Sequence, residues 1–121
     1  MFDPTEAIKA NHLVNYGGVI TNINLLYDFE EKCNSNTKSQ LIYTLYNDNI
    51  EPTIKTVLYK DDIFYVNIIV KSKDEKKNIL NTYKYSEYEF IDNENILELN
   101  FKSEDNTLNF FKYNKKTGEG N

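Results

Sequence analysis

Residues 53–70 carry the clearest pattern of apolar and polar positions in the chain. β-Branched and aromatic residues fill two segments on either side of Lys60-Asp61-Asp62, a polar sequence typical of a tight turn. Both alternating sets of side chains in the second segment are largely apolar, so we expect both of its faces to be covered. The pattern predicts a β-hairpin whose second strand is central to the fold.

The N-terminal segment has the strongest signals for a helix. Asp3 can cap free amides, Pro4 suits the first helical position, and Glu6 completes a capping-box pattern. A modest apolar stripe follows, and Gly17-Gly18 can supply the left-handed residue that ends a helix. The predicted helix spans residues 4–16.

The next segment fits two structures. Apolar side chains alternate with Asn, Asp and Glu over residues 22–30, which favours a half-buried strand. Ile20, Ile23 and Tyr27 also fit helical spacing, so a helix over 19–32 is a real alternative. We expect the strand, because the alternation is interrupted only at Leu26.

Five later segments alternate in the manner of strands and are separated by polar turn sequences. They span residues 41–46, 79–85, 88–91, 96–102 and 108–113, and those at 79–91 could equally form one long strand. The intervening connections include a turn cluster at 47–49 and a lysine-rich segment at 71–77.

This order of elements predicts an α+β fold. An N-terminal helix is followed by a curled, barrel-like antiparallel β-meander of about seven or eight strands. An open sheet wrapped around the helix is the competing architecture. We expect a single domain over residues 1–114 and a flexible C-terminal tail over 115–121, whose polar residues have little to bury.

Composition places this domain among soluble, folded proteins. Apolar residues make up 40% of the 121 positions, and seventeen residues are Tyr or Phe, enough to build a core. The single cysteine, the absence of a signal-peptide pattern at the start and the lack of a stretch of ~18 apolar residues predict a cytoplasmic protein with no membrane segment.

Charge narrows the range of partners. The formal net charge is −5, and all fourteen cationic residues are lysines. Without a guanidinium group to grip phosphates or guanine edges, direct nucleic-acid binding is disfavoured. The dominance of Asn, Ile, Lys and Tyr is the pattern expected from an AT-rich genome, as in many mobile elements and their viruses.

No arrangement of residues in the sequence predicts catalysis, a metal site or a cofactor. His12 is the only histidine and Cys33 the only cysteine, and neither belongs to a recognisable nucleophile motif. We expect His12 on the surface of the first helix and Cys33 in a polar loop. Asp61-Asp62 could be paired acid–base carboxylates, but adjacent acids at a hairpin tip favour turn formation.

Acidic residues recur in spaced groups along the chain. If several line one face, they present a negative surface able to occupy a basic groove on another protein. The groups are Glu30-Glu31, Asp61-Asp62, Glu87 with Glu89, Asp92 with Glu94, Glu98, and Glu104-Asp105. From these, four residues are predicted to bind a partner: Glu87, Glu89, Asp92 and Glu94.

Tyr83, Tyr85 and Tyr88 form a second candidate surface. Their flat rings and hydroxyl tips suit a protein hot spot or a stacked base, and cross-strand packing is the structural alternative.

The composition is similar to that of inhibitors that phages and plasmids make against bacterial defence systems, anti-CRISPR proteins included. We therefore predict a small acidic non-enzymatic binding protein that occupies a protein partner, for example a nucleic-acid-binding protein. The alternative is a carrier or sponge that holds a small ligand or signalling nucleotide against tyrosines inside a β-barrel.

Overall fold

A computed structural model describes residues 3–46, 52–70 and 79–120, and over these residues it has a mixed α+β fold, which confirms the predicted class. The elements follow in chain order: α1 Pro4–Lys9, β1 Leu13–Tyr16, β2 Val19–Thr21, α2 Asn24–Asn34, β3 Ser39–Tyr46, β4 Thr53–Lys60, β5 Ile63–Val70, β6 Ile79–Tyr85, β7 Glu87–Asp92, β8 Ile96–Ser103, β9 Asn106–Asn114 and β10 Glu119–Gly120.

The described strands form two sheets. A six-stranded sheet has the order β2-β1-β3-β4-β5-β6, and a four-stranded sheet has the order β10-β9-β8-β7. Neighbouring strands are antiparallel except for the parallel pair β1–β3. No closed barrel is found among the described residues, so the barrel-like meander is not confirmed. The chain passes between the sheets at Ser86, which makes residues 79–91 two strands rather than one.

The hairpin at residues 53–70 is confirmed. β4 and β5 pair from Thr53↔Val70 to Lys60↔Ile63. Asp61 and Asp62 both have positive φ angles, 52° and 63°, as a two-residue type I′ hairpin turn requires.

Strand β5 is an interior strand of the first sheet as predicted, because it pairs with β4 on one side and with the edge strand β6 on the other. Phe64 and Val66 are buried, whereas Tyr65 and Ile69 on the opposite face are half-buried. The outer face of β5 is therefore only partly covered, which is less than the expectation of two covered faces.

Helix α1 begins as predicted but ends early. Asp3 accepts a hydrogen bond from the Thr5 amide at 2.7 Å, and Pro4 opens the helix. Asn11 then adopts φ 63°, the left-handed conformation that ends helices. The prediction of a helix to residue 16 is wrong, because Leu13–Tyr16 pairs with β3. Gly17 and Gly18 instead form the turn between β1 and β2, again with positive φ angles.

Helix α2 replaces the strand predicted over residues 22–30. Its buried residues are Leu26, Phe29 and Cys33, which recur at helical spacing, while Tyr27 is 40% exposed. The strand prediction is wrong because it placed Tyr27 on the buried face of a strand. The alternative of a helix over 19–32 was closer, although Val19–Thr21 forms β2.

The other predicted strands are confirmed to within two residues as β3, β6, β7, β8 and β9. The predicted turn at 47–49 and the lysine-rich connection at 71–77 lie outside the described residues. In the predicted tail, Glu119–Gly120 pairs with β9, and Lys115 binds Asp92 with an Nζ–Oδ1 distance of 2.5 Å. The flexibility of 115–121 and the single domain over 1–114 stay predictions.

Phe101 lies at the junction of helix α2 and the two sheets. Its fully buried ring contacts Phe64 at 5.0 Å between centroids, Phe110 at 5.6 Å, Tyr85 at 6.3 Å and Phe29 at 6.5 Å. Such aromatic pairs contribute stability beyond the area they bury. One cluster of buried residues therefore includes both sheets and α2.

A bulge in the second sheet lies beside a half-buried lysine that links the two sheets. The β8–β9 register shifts at Leu99/Asn100, and the consecutive residues Phe110 and Phe111 are both fully buried. Lys55 Nζ donates to the Phe110 carbonyl at 3.1 Å and lies 5.7 Å from the centre of the Tyr43 ring. Burial lowers the pKa of Lys55, so this link between the sheets holds a partly desolvated charge.

Candidate functional site

The three predicted tyrosines do not share one surface. Tyr85 is 6% exposed and packs in the core against Phe101, whereas Tyr83 beside it on β6 is 40% exposed. Tyr88 is in the other sheet, where its ring packs edge-on against Phe64 at 5.5 Å and its hydroxyl donates to Glu30 at 3.4 Å. Of the three, only Tyr83 is exposed, and Tyr88 is half-buried.

The four predicted acids are also divided. Glu87 and Asp92 lie at opposite ends of β7, about 17 Å apart at the usual rise of a strand. Glu94 is exposed in the turn that follows Asp92, while Glu89 lies within the strand. These residues therefore form no single patch.

Two of the four acids are already paired with lysines. Glu89 Oε2 accepts from Lys102 Nζ at 3.0 Å and Glu89 Oε1 accepts from Asn100, and these bonds hold the pKa of Glu89 below its usual value. Asp92 accepts from Lys115 and from the Tyr27 hydroxyl, and its pKa is likewise lowered. Among the described residues, no salt bridge involves Glu87 or Glu94.

The fold collects a different set of acids at one end of the molecule. Asp62 and Glu87 line the same cleft, Glu87 shares a second depression with Glu104 and Asp105, and Asp61 and Asp62 line a third. We name Asp61, Asp62, Glu87, Glu104 and Asp105 the acidic end. They come from the β4–β5 turn, the start of β7 and the β8–β9 turn, which meet because the chain changes sheets at Ser86.

Lysines at this end offset the negative charge only in part. Lys38 and Lys60 line the third depression, and Lys102 lines the second but is paired with Glu89. When Glu89, the partner of Lys102, is counted with the acidic end, this part of the molecule carries six carboxylates and three lysines. The acidic end therefore keeps a negative field of the kind that complements a basic surface.

The first of these depressions is an open cleft of about 340 Å³ between the end of α2 and the switch from β6 to β7. It combines rings with hydrogen-bonding groups, and we name it the end cleft. Its lining residues are Cys33, Asn36, Tyr59, Asp62, Phe64, Ser86, Glu87 and Tyr88. The sequence prediction missed Asn36, Tyr59 and Phe64, since nothing in their local pattern distinguishes them from ordinary loop and strand residues.

Cys33 is not in a polar loop as expected but is buried in the last turn of α2, with 4% exposure. Burial, followed by the nearby Glu30 carboxylate, raises the pKa of the thiol to about 12. A thiol of this kind is almost entirely protonated at neutral pH and is a poor nucleophile.

Cys33 should therefore resist alkylation in the folded protein. At pH 8 the thiolate fraction is about a thousandfold smaller at pKa 12 than at the usual thiol value, so iodoacetamide should label the native protein about a thousandfold more slowly than the urea-unfolded protein. Mass spectrometry of timed aliquots measures both rates. Similar rates in the two states would show an accessible thiol with an ordinary pKa and would contradict the burial of Cys33, whereas faster labelling of the native protein would indicate an activated thiol.

His12 follows α1 rather than lying on it, and its Nδ1 is 3.0 Å from the Thr44 hydroxyl oxygen. Burial lowers the pKa of the ring, which favours the neutral form. Within residues 3–46, 52–70 and 79–120, no group of three or more His, Cys, Asp or Glu side chains is arranged to hold a metal ion. No helix in the same ranges has the length and apolar character needed to span a membrane.

Comparison of the chain with protein-family models, with curated proteins and with solved structures finds no match.

Proposed function

We propose that this chain is a small acidic, non-enzymatic binding protein that occupies a basic surface of a protein partner with its acidic end. The observation that carries the proposal is the convergence of Asp61, Asp62, Glu87, Glu104 and Asp105, which three separate segments bring to one end of the fold. A negative end of this kind complements a positively charged groove, such as one that binds nucleic acid.

The composition favours an inhibitor of the phage or plasmid anti-defence type, such as an anti-CRISPR, acting in the cytoplasm. Lysine supplies every cationic residue, and the formal charge is −5. The acidic end would repel phosphates, so a protein that binds nucleic acid is a better partner than nucleic acid itself. Occupying the groove of such a protein requires no catalytic residue.

Affinity capture from a bacterial host lysate tests this proposal with three baits: the wild-type protein and two variants that each remove five negative charges. One variant neutralises the acidic end: Asp61→Asn, Asp62→Asn, Glu87→Gln, Glu104→Gln and Asp105→Asn. The matched control neutralises exposed acids elsewhere: Glu6→Gln, Asp28→Asn, Glu31→Gln, Glu94→Gln and Glu119→Gln.

We expect a basic protein that the wild-type and control baits retain and that the acidic-end variant loses, because local charge rather than net charge positions the partner. Quantitative mass spectrometry of the three eluates measures this difference. Equal recovery by all three baits would exclude the acidic end as the binding surface, and a small molecule recovered without any protein would contradict the proposal.

The end cleft supports a second candidate function, the binding of a small ligand. The space between the sheets is filled by buried rings such as Phe101, Phe110 and Phe111, so the open cleft is a better place for a ligand than the interior of the fold. Its volume of about 340 Å³ lies at the lower end of the range for small-molecule sites. Mass spectrometry of small molecules released from the wild-type bait tests this alternative.

A further inference from the structure

The end cleft has an aromatic wall. Phe64 stacks on Tyr59 with ring centroids 4.7 Å apart and an interplanar angle of 27°, and Tyr88 packs edge-on against the same Phe64 ring. Tyr59 and Phe64 are only 5% and 3% exposed, so the half-buried Tyr88 supplies most of the ring surface that the cleft offers. The exposed part of an aromatic ring attracts cations through its π-electron face, and planar cations can also stack on it. The Tyr88 side of the cleft therefore suits a flat, positively charged group.

The polar groups of the end cleft supply more acceptors than donors. The Tyr59 hydroxyl lies 3.1 Å from both Asn36 Oδ1 and Asp62 Oδ1, but it has one hydrogen and can donate to only one of them at a time. The Tyr88 hydroxyl is directed to Glu30, and Glu87 adds a further carboxylate to the lining. None of the eight lining residues is a lysine, so a ligand that brings several N–H donors and a positive charge would complete the site.

We infer that the end cleft receives an arginine side chain of the protein partner, with the guanidinium group between the carboxylates of Asp62 and Glu87 and its flat face against the Tyr88 ring. This inference rests on the proposed function and names the group that the acidic end recognises. A guanidinium group combines planarity, five donors and a permanent charge, whereas a lysine ammonium lacks the planarity. Hydrogen bonds between a guanidinium group and carboxylates are of the stronger, charge-assisted kind.

The inference is testable with the protein alone and N-acetyl-arginine amide as the probe. In a ¹⁵N–¹H NMR titration, we expect shift changes at the amides of Asn36, Tyr59, Asp62, Glu87 and Tyr88, with a Kd of about 1–10 mM for so small a ligand. N-acetyl-citrulline amide has nearly the same shape without the charge and should bind at least about tenfold more weakly. N-acetyl-lysine amide should fall between the two.

Two charge variants localise the interaction. Asp62→Asn with Glu87→Gln should weaken binding of the arginine probe about tenfold. Asparagine tolerates the φ angle of 63° at position 62, so this variant should keep the turn, and its unchanged circular dichroism would verify that it does. The matched control, Asp28→Asn with Glu6→Gln, removes the same charges from exposed sites elsewhere and should bind the probe like the wild type.

Equal binding of the citrulline and arginine probes, or equal loss in both double variants, would overturn the inference. So would adenosine monophosphate shifting the same amides when the arginine probe does not, which would favour the ligand-binding alternative. The proposed function and this inference can fail independently. If a captured partner depends on the acidic end but arginine does not bind in the cleft, the proposed function is retained and the arginine inference is rejected. Arginine binding in the cleft without any captured basic protein would retain the arginine site and reject the proposed function.

Discussion

Phe101→Ala is expected to lower the free energy of unfolding by about 3–5 kcal/mol, the usual cost of removing a buried aromatic ring without collapse of the space it leaves. Phe101 is fully buried and touches rings from α2, from both β5 and β6 of the first sheet, and from β9 of its own sheet. Small domains are stable by about 5–15 kcal/mol, so the loss would be a large share of the total. Urea unfolding followed by circular dichroism measures the change.

Tyr16→Ala is the control for this prediction. Tyr16 is 60% exposed and lies at the end of β1, so its truncation should cost less than about 1 kcal/mol. Phe101→Leu should fall between the two, because leucine refills part of the space. If Phe101→Ala unfolds at the same urea concentration as the wild type, the two sheets do not pack through this ring and the arrangement of the core is wrong.

Raising the salt concentration from 50 mM to 500 mM is expected to slow association with the captured partner at least about tenfold, because the screening length falls from roughly 14 Å to about 4 Å. The rate of dissociation should change much less, since long-range attraction acts mainly on the encounter. Surface plasmon resonance with the purified partner measures both rate constants across the salt series.

The two five-charge variants separate local charge from net charge in this measurement. At 50 mM salt, the acidic-end variant should associate as slowly as the wild-type protein does at 500 mM, while the control variant should stay close to the wild type. Slowing of the same size in both variants would indicate that only net charge matters. Association that is insensitive to salt and to both variants would reject charge complementarity and would favour an ordinary interface around the exposed Tyr83.

Tyr85 is unsuitable for testing an aromatic binding surface, because its ring lies in the core. Tyr85→Ala would remove a ring that is 6% exposed and packed on Phe101, so a loss of binding in that variant would report unfolding rather than a lost contact. Tyr83 can be truncated without opening the core and is the appropriate residue for testing an aromatic surface.

The sequence by itself determined those elements whose signals are local. The β4–β5 hairpin was predictable because period-two alternation flanks a turn in which two aspartates tolerate positive φ angles. The strands β8 and β9 and the start of α1 were predictable for the same reason, since each depends on neighbours within a few residues. Lysine without arginine and the net charge of −5 also follow from the sequence alone.

Tertiary structure decided the rest. Residues 24–34 satisfied both the strand and the helix pattern, and burial of Leu26, Phe29 and Cys33 against the sheets selected the helix. Whether the strands form one sheet or two depended on the change of sheet at Ser86, a matter of long-range packing that alternation does not encode. The same change of sheet brought Asp62, Glu87 and Glu104 to one end and placed Asp92 at the other, because distance along the chain does not fix distance in space.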